Sequence, residues 1–310
     1  VRGVSFLIVN KLSEIIKLFY TPYSIFSPVP FFAIIIFLLA YKSDDLLSSP
    51  IRSLTAGVIV SLLSSFASNI WNHTNDLEED LAQGKKNALT QKIISHRSAV
   101  IISLLLYILS IISVVYISIG TARQAYIFFL IWALVTWWYS DKILLKRIFG
   151  FRLKTHYIGE LITYSIAYPA YTLSIWLIYS NLNIEGIVLA LAFLCFGISV
   201  VLIKDIKDIS GDAKAGLRTF GVAFPPSKLF YFSCLFLLLY YIIILNSVAF
   251  NIFSRSILLV IIPFFYFIKN TFLHFNKKNW RIEAEDNKQI KSMVATTYAS
   301  IILLGLGAFI

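Results

Sequence analysis

The sequence predicts an all-α, polytopic membrane protein, with about nine transmembrane helices in a bundle and a polar cap on the cytoplasmic face. Three observations predict it. The 310-residue chain is 58% hydrophobic with a mean hydropathy of +0.80, more apolar surface than a water-soluble protein of that length can bury. Its charged residues, 14% of the total, gather between long apolar runs. The basic residues are also distributed very unevenly between alternate loops.

A membrane-spanning helix needs roughly 20 apolar residues. Nine runs meet or approach that length: 23–41, 53–74, 98–119, 124–141, 158–180, 186–205, 229–249, 255–270 and 292–310. The fourth is short, and the eighth is broken by Pro263. With nine spans, the N-terminus and the loops after even-numbered helices share one face, which holds 23 of the 27 Lys and Arg residues. Lys42, Arg52, Arg123 and Arg255 stand on the other. The positive-inside rule therefore puts the N-terminus on the cytoplasmic side of a cell membrane. The same rule accounts for the net charge of +11, so no nucleic-acid partner is expected. Cys195 and Cys234 lie inside apolar runs and read as small core residues. Residues 2–17 are mildly amphipathic, without a small-residue cleavage site, so no cleavable signal peptide is expected. Residues 1–310 read as one domain: two weak pseudo-repeats, about 20–141 and 155–270, and a last helix.

Two acidic stretches interrupt this apolar pattern, each directly after a long run: Asn72-His73-Thr74-Asn75-Asp76-Leu77-Glu78-Glu79-Asp80, and Asp205-Ile206-Lys207-Asp208-Ile209-Ser210-Gly211-Asp212. Asn72, Asp76 and Asp80 are four residues apart, and Asp205, Asp208 and Asp212 are three and then four apart. On helices both sets form a stripe along one face. The topology places both at cytoplasmic helix ends, with four helices between them, so they can face each other across a bundle. Carboxylates beside a membrane core are costly unless matched. Hard oxygen ligands in facing stripes point to a divalent cation, Mg²⁺, whose remaining coordination positions go to water and phosphate oxygens. Lys85, Lys86, Lys214 and Arg218 follow the two stretches. Lys142, Lys146, Arg147, Arg152 and Lys154 crowd the loop after the fourth span, where they could neutralise a diphosphate. A transporter is the alternative reading, since acids in membrane helices also bind transported ions. Such sites lie near mid-membrane on broken helices, however, and these acids lie at helix ends. A soluble isoprenyl synthase with paired acidic motifs is excluded by the nine spans.

These motifs resemble those of the UbiA superfamily of intramembrane prenyltransferases. Its N-D-x-x-D-x-x-x-D motif is matched at Asn72, Asp76 and Asp80, with His73 where Asp is usual. Its D-x-x-x-D is matched by Asp208 and Asp212. The wider Lys204–Asp212 segment, followed by Gly216, Arg218 and Thr219, is similar to the form in homogentisate-type and geranylgeranylglyceryl-phosphate-type members. Tyr139, Lys142 and Lys146 resemble a Tyr and Lys motif, Lys85 stands where the family has Arg, and Glu160 after Gly159 is similar to a G-E pair of naphthoate-type members. Asn87-Ala88-Leu89 and Thr21-Pro22 stand where the family has Arg-Pro pairs.

The resemblance implies Mg²⁺-dependent transfer of a prenyl group from a polyprenyl diphosphate donor to a lipophilic acceptor, either aromatic or a glycerol-phosphate lipid. Asn72, Asp76, Asp208 and Asp212 would hold the metal, with Asp80 and Asp205 as outer or alternate ligands. Asp76, Asp208, Asp212 and Lys146 would be catalytic, and Lys85, Tyr139, Lys142 and Arg218 would bind substrate. Trp71, Trp137, Trp138, Tyr164 and Tyr168 are candidates to line the isoprenoid tail.

Overall fold

The computed structural model describes residues 13–19, 29–43 and 49–310, so part of the first predicted span, together with Thr21-Pro22, lies outside the described residues. Every regular element among the described residues is helical. After a short helical stretch over 13–19 come α1 (Val29–Ser43), α2 (Pro50–Asn75), α3 (Leu77–Ala82), α4 (His96–Thr121), α5 (Ala125–Ser140), α6 (Leu145–Phe149), α7 (Tyr157–Tyr179), α8 (Ile184–Lys214), α9 (Phe220–Ala223) and α10 (Pro226–Ala249). A composite span and α13 (Asn287–Phe309) complete the chain.

Among the described residues, seven segments are long and apolar enough to cross a membrane, and two shorter apolar helices, Pro30–Tyr41 and Ala125–Ser140, stand where the first and fourth spans were expected. The chain is a multi-pass membrane protein. The composite span is irregular around Pro263, as anticipated. A 3₁₀ turn (Arg255–Val260) leads into α11 (Ile261–Phe267), a π turn (Ile268–Phe272) and α12 (Leu273–Lys277). Pro263 has no N–H to donate, so the regular bonding pattern is broken near it.

The helix starts follow their sequences. Pro50 and Pro226 occupy first-turn positions, where a missing N–H costs nothing. The Ser95 hydroxyl accepts from Ser98 N at 3.1 Å and Asn183 Oδ1 from Gly186 N at 3.0 Å, capping α4 and α8. The helices pack in a closed circuit, with α2 on α4, α5 on α7, α7 on α8, α8 on α10, and α13 back on α1. Lipid supplies no hydrophobic force between helices, and small hydroxyl residues join them instead. Ser103 donates to Ala67 O at 2.8 Å between α4 and α2, and Ser199 lies 3.1 Å from Ser233 between α8 and α10.

One expectation needs correcting. The sixth predicted span stops at 205, with the second acidic stretch following it. In fact α8 runs unbroken to Lys214, so Asp205, Asp208 and Asp212 ride on the transmembrane helix itself. The stretch has no Pro and its charges are spaced to share a face, so nothing in it ends a helix.

Candidate active site

The first acidic stretch is nearly continuous helix. Asp76, at φ −95° and ψ 9°, separates α2 from α3. Its N–H still bonds Asn72 O at 2.9 Å, and Asp80 N bonds Asp76 O at 2.8 Å. The stripe of Asn72, Asp76 and Asp80 therefore survives the break.

The loop between α5 and α7 is folded onto this stripe. Buried Asp141 accepts from the N–H of Ile143 at 2.9 Å and of Leu144 at 3.0 Å, and also from that of Leu145, which turns the chain into α6. Lys142 N donates to Asn75 Oδ1 at 2.8 Å, and its ammonium reaches Glu79 at 2.7 Å and Glu78 at 3.0 Å. Past α6, Arg152 divides its guanidinium between Glu79 at 2.5 Å and Asp76 at 3.3 Å, while Lys154 pairs with the other Asp76 oxygen. Burial would raise the Glu79 pKa, but the Lys142 hydrogen bond and the Arg152 charge outweigh it and hold the group below the usual carboxylate range. Burial likewise opposes ionisation of Asp80, yet His73 and Lys85 hold its pKa low. Asp80 accepts from Asn87 Nδ2 at 2.9 Å and lies 3.4 Å from Lys85 and 3.5 Å from His73. His73 stands seven residues, two helical turns, before Asp80 and meets it there.

The second stretch meets the first. Gly211 packs against the Gln83 side chain just past α3, so closely that a β-carbon on Gly211 would lie 2.7 Å from Gln83 Oε1. Lys154, paired with Asp76, is also near enough to Asp212 to act on its charge. Asp212 accepts from the Thr219 hydroxyl at 2.8 Å, and Asp208 lies 3.5 Å from Lys204 on its own helix. Asp205 is 3% exposed, and its Oδ2 has no hydrogen-bond partner among the described residues. Arg218 works through its backbone, receiving from Tyr157 N at 2.8 Å and donating to Thr155 O at 3.0 Å, with its side chain exposed.

The donors are all hard oxygens, and one buried carboxylate oxygen is unmatched, which fits a hard divalent cation. No three His, Cys, Asp or Glu residues among the described ones converge on a single point. The acids form two groups, an arrangement suited to ions that keep several water or phosphate ligands rather than to one closed cage.

A model of the UbiA prenyltransferase family matches residues 28–289. The chain belongs to the UbiA prenyltransferase family. An uncharacterized protein of Archaeoglobus fulgidus is 29% identical over 298 residues, covering 95% of this UbiA-family chain and 98% of that protein. Two solved structures share the fold. A digeranylgeranylglyceryl phosphate synthase has a TM-score of 0.71 at 21% identity, over 97% of this chain and 99% of its own. A UbiA homologue from Archaeoglobus fulgidus bound to GPP and Mg²⁺ has a TM-score of 0.58 at 17% identity, over 92% and 99%.

In this UbiA-family site Tyr139, Lys142 and Lys85 stand beside the acids, but Lys146 does not. It is exposed on α6, and none of the ion pairs among the described residues includes it. Trp71 and Trp137 pack together inside the bundle with ring centroids 4.2 Å apart, and Tyr164 and Tyr168 lie 6.0 Å apart. Trp138 instead turns onto Phe149 and Phe151 of the loop. The pairing of Glu79, Arg152 and Lys154 with the site was missed. For Glu79 a signal existed, because seven residues from Asn72 puts it two turns along the same face. Arg152 and Lys154 are positioned by loop folding, which spacing does not encode.

Glycine packing here gives a discriminating test. A β-carbon on Gly159 would lie 2.1 Å from the Leu153 carbonyl oxygen, in the turn that carries Lys154. Backbone cannot yield as the end of Gln83 can. Gly159→Ala is expected to cost about 1–3 kcal/mol and most of the activity, whereas Gly211→Ala stays near wild type. Thermal unfolding in detergent, read beside turnover, checks this; equal effects would refute it.

Proposed function

We propose that this protein transfers a prenyl group from a polyprenyl diphosphate, in a Mg²⁺-dependent reaction, to a glycerol-phosphate lipid acceptor at the cytoplasmic face of the membrane. The observation that carries it is the meeting of the two acidic stretches, with Gln83 on Gly211 and Lys154 between Asp76 and Asp212. Asn72, Asp76 and Asp80 on one side, and Asp205, Asp208 and Asp212 on the other, would hold Mg²⁺. Bound there, the metal offsets charge on the departing diphosphate, so the allylic C–O bond can ionise. Lys85, Lys142, Arg152 and Lys154 supply cations for the outer diphosphate oxygens. Arg152 has a buried Nε–H with no partner among the described residues, a donor available to such a ligand. The apolar bundle interior keeps water from the carbocation.

The glycerol-phosphate acceptor is supported by the Lys204–Asp212 pattern and by the fold likeness to the digeranylgeranylglyceryl phosphate synthase. The orientation is supported by the one-sided Lys and Arg distribution. Purified protein given geranylgeranyl diphosphate, Mg²⁺ and a panel of acceptors, with products read by mass spectrometry, tests both parts. Transfer to geranylgeranylglyceryl phosphate that stops on chelation is the expected result. Transfer to aromatic acceptors alone would overturn the acceptor, and absence of Mg²⁺-dependent diphosphate release would overturn the reaction.

A further inference from the structure

Glu160 is placed unlike an ordinary first-turn acid. It lies at the fourth residue of α7 but is only 2% exposed, and among the described residues its carboxylate joins no ion pair. Gly159 before it lets the helix start pack against the Leu153 carbonyl, which fixes where Glu160 points. Its Oε2 accepts from the N–H of Phe220 at 3.0 Å, and its Oε1 accepts from the Tyr139 hydroxyl at 3.3 Å. Tyr139 is half-buried, so it is the reachable end of the pair. The Tyr139 oxygen also lies 3.0 Å from the Tyr164 hydroxyl. Lys204, Asp205 and Asp212 on α8 are the charged groups facing Glu160. A phenol has one proton to give and two lone pairs. With its proton directed at Glu160 and one lone pair taken by Tyr164, Tyr139 keeps one lone pair for a hydroxyl arriving from outside.

The geometry points to a proton relay in which Tyr139 takes the proton of the acceptor's hydroxyl while passing its own to Glu160. This rests on the reaction proposed above. The C1–O bond to diphosphate breaks, and the electron pair leaves with diphosphate. The acceptor oxygen forms its bond to C1, its O–H bond breaks, and that proton goes to the Tyr139 oxygen as the Tyr139 proton reaches Glu160 Oε1. No oxidant or reductant is needed. A carboxylate without an ion-pair partner, behind a half-buried tyrosine close enough to Asp205 to feel its charge, suits a terminal acceptor of general-base chemistry.

The readout is the ratio of transferred product to diphosphate released in a single turnover with Mg²⁺, geranylgeranyl diphosphate and geranylgeranylglyceryl phosphate. Glu160→Gln keeps the size and an oxygen for Phe220 but cannot take a proton. Its ratio is expected to fall on the order of 10²-fold, the shortfall appearing as prenyl alcohol. Tyr139→Phe should fall similarly, and the double variant no further. An unchanged ratio in Glu160→Gln, with both yields falling together or neither falling, overturns the relay and leaves Glu160 only a positioning group. Should that variant not fold, Tyr139→Phe reads the same ratio, and an unchanged value there also overturns the relay. Wild-type protein that releases no diphosphate would refute the proposed reaction instead.

Discussion

Asp76→Ala is expected to reduce Mg²⁺-dependent diphosphate release on the order of 10²- to 10³-fold, the loss seen when one group aimed at developing charge is removed. It should also destabilise the fold. The carboxylate is buried and neutralises Arg152 and Lys154 together. Taking away one partner of a buried pair leaves its charge uncompensated, at about 3–5 kcal/mol. Asp76→Asn separates the two effects: it keeps the shape and one acceptor oxygen, so it should recover part of the stability while remaining inactive. Single-turnover release, set beside unfolding temperature in detergent, distinguishes them. An active Asp76→Ala protein would remove Asp76 from the site.

Arg152→Met is expected to be the most destabilising change in the loop, again about 3–5 kcal/mol. Arg152 is 3% exposed and joins two carboxylates on successive turns, Asp76 and Glu79. Arg152→Lys should recover less than half, because an ammonium cannot fork between the two oxygens. Adding Glu79→Gln to Arg152→Met should restore stability relative to Arg152→Met alone, since Asp76, Glu78 and Glu79 otherwise outnumber the remaining Lys142 and Lys154 by one charge. Unfolding in denaturant and detergent measures this. If the double variant is the less stable, the pair is not the source of the cost.

The contrast between those two residues shows what a sequence reader can reach. Asp76 was legible because helical spacing is a local property, and three oxygen residues four apart mark a face without any knowledge of neighbours. The membrane-crossing helices were legible for a similar reason: apolar length reports on the bilayer, an environment common to the whole chain. Arg152 was not legible as a partner of Asp76. It stands 76 positions away, beyond four helices and a loop whose path depends on the Asp141 cap and on Gly159 against Leu153. Glu160 was ambiguous for another reason. A first-turn acid is common at any helix start, and only its burial and the neighbouring Tyr139 hydroxyl set it apart. The extent of α8 was missed because the end of the apolar run was taken for the end of the helix, although polar residues continue a helix readily.

That last difference bears on how the protein matches its bilayer. At 1.5 Å per residue, the 31 residues of α8 make a rod of about 46 Å, against a hydrocarbon layer of about 30 Å. Measured from its first residue, Asp205 stands at about 32 Å and Asp212 at about 42 Å. With the first residue of α8 at one edge of that layer, Asp205 would stand near the opposite edge and Asp212 about 10 Å beyond it. An amphiphile with an apolar tail and a charged end has the same gradient. Since all three acids ride on one unbroken helix, a thicker or thinner membrane is expected to shift them together along that gradient, and lipid chain length becomes a variable of the proposed reaction.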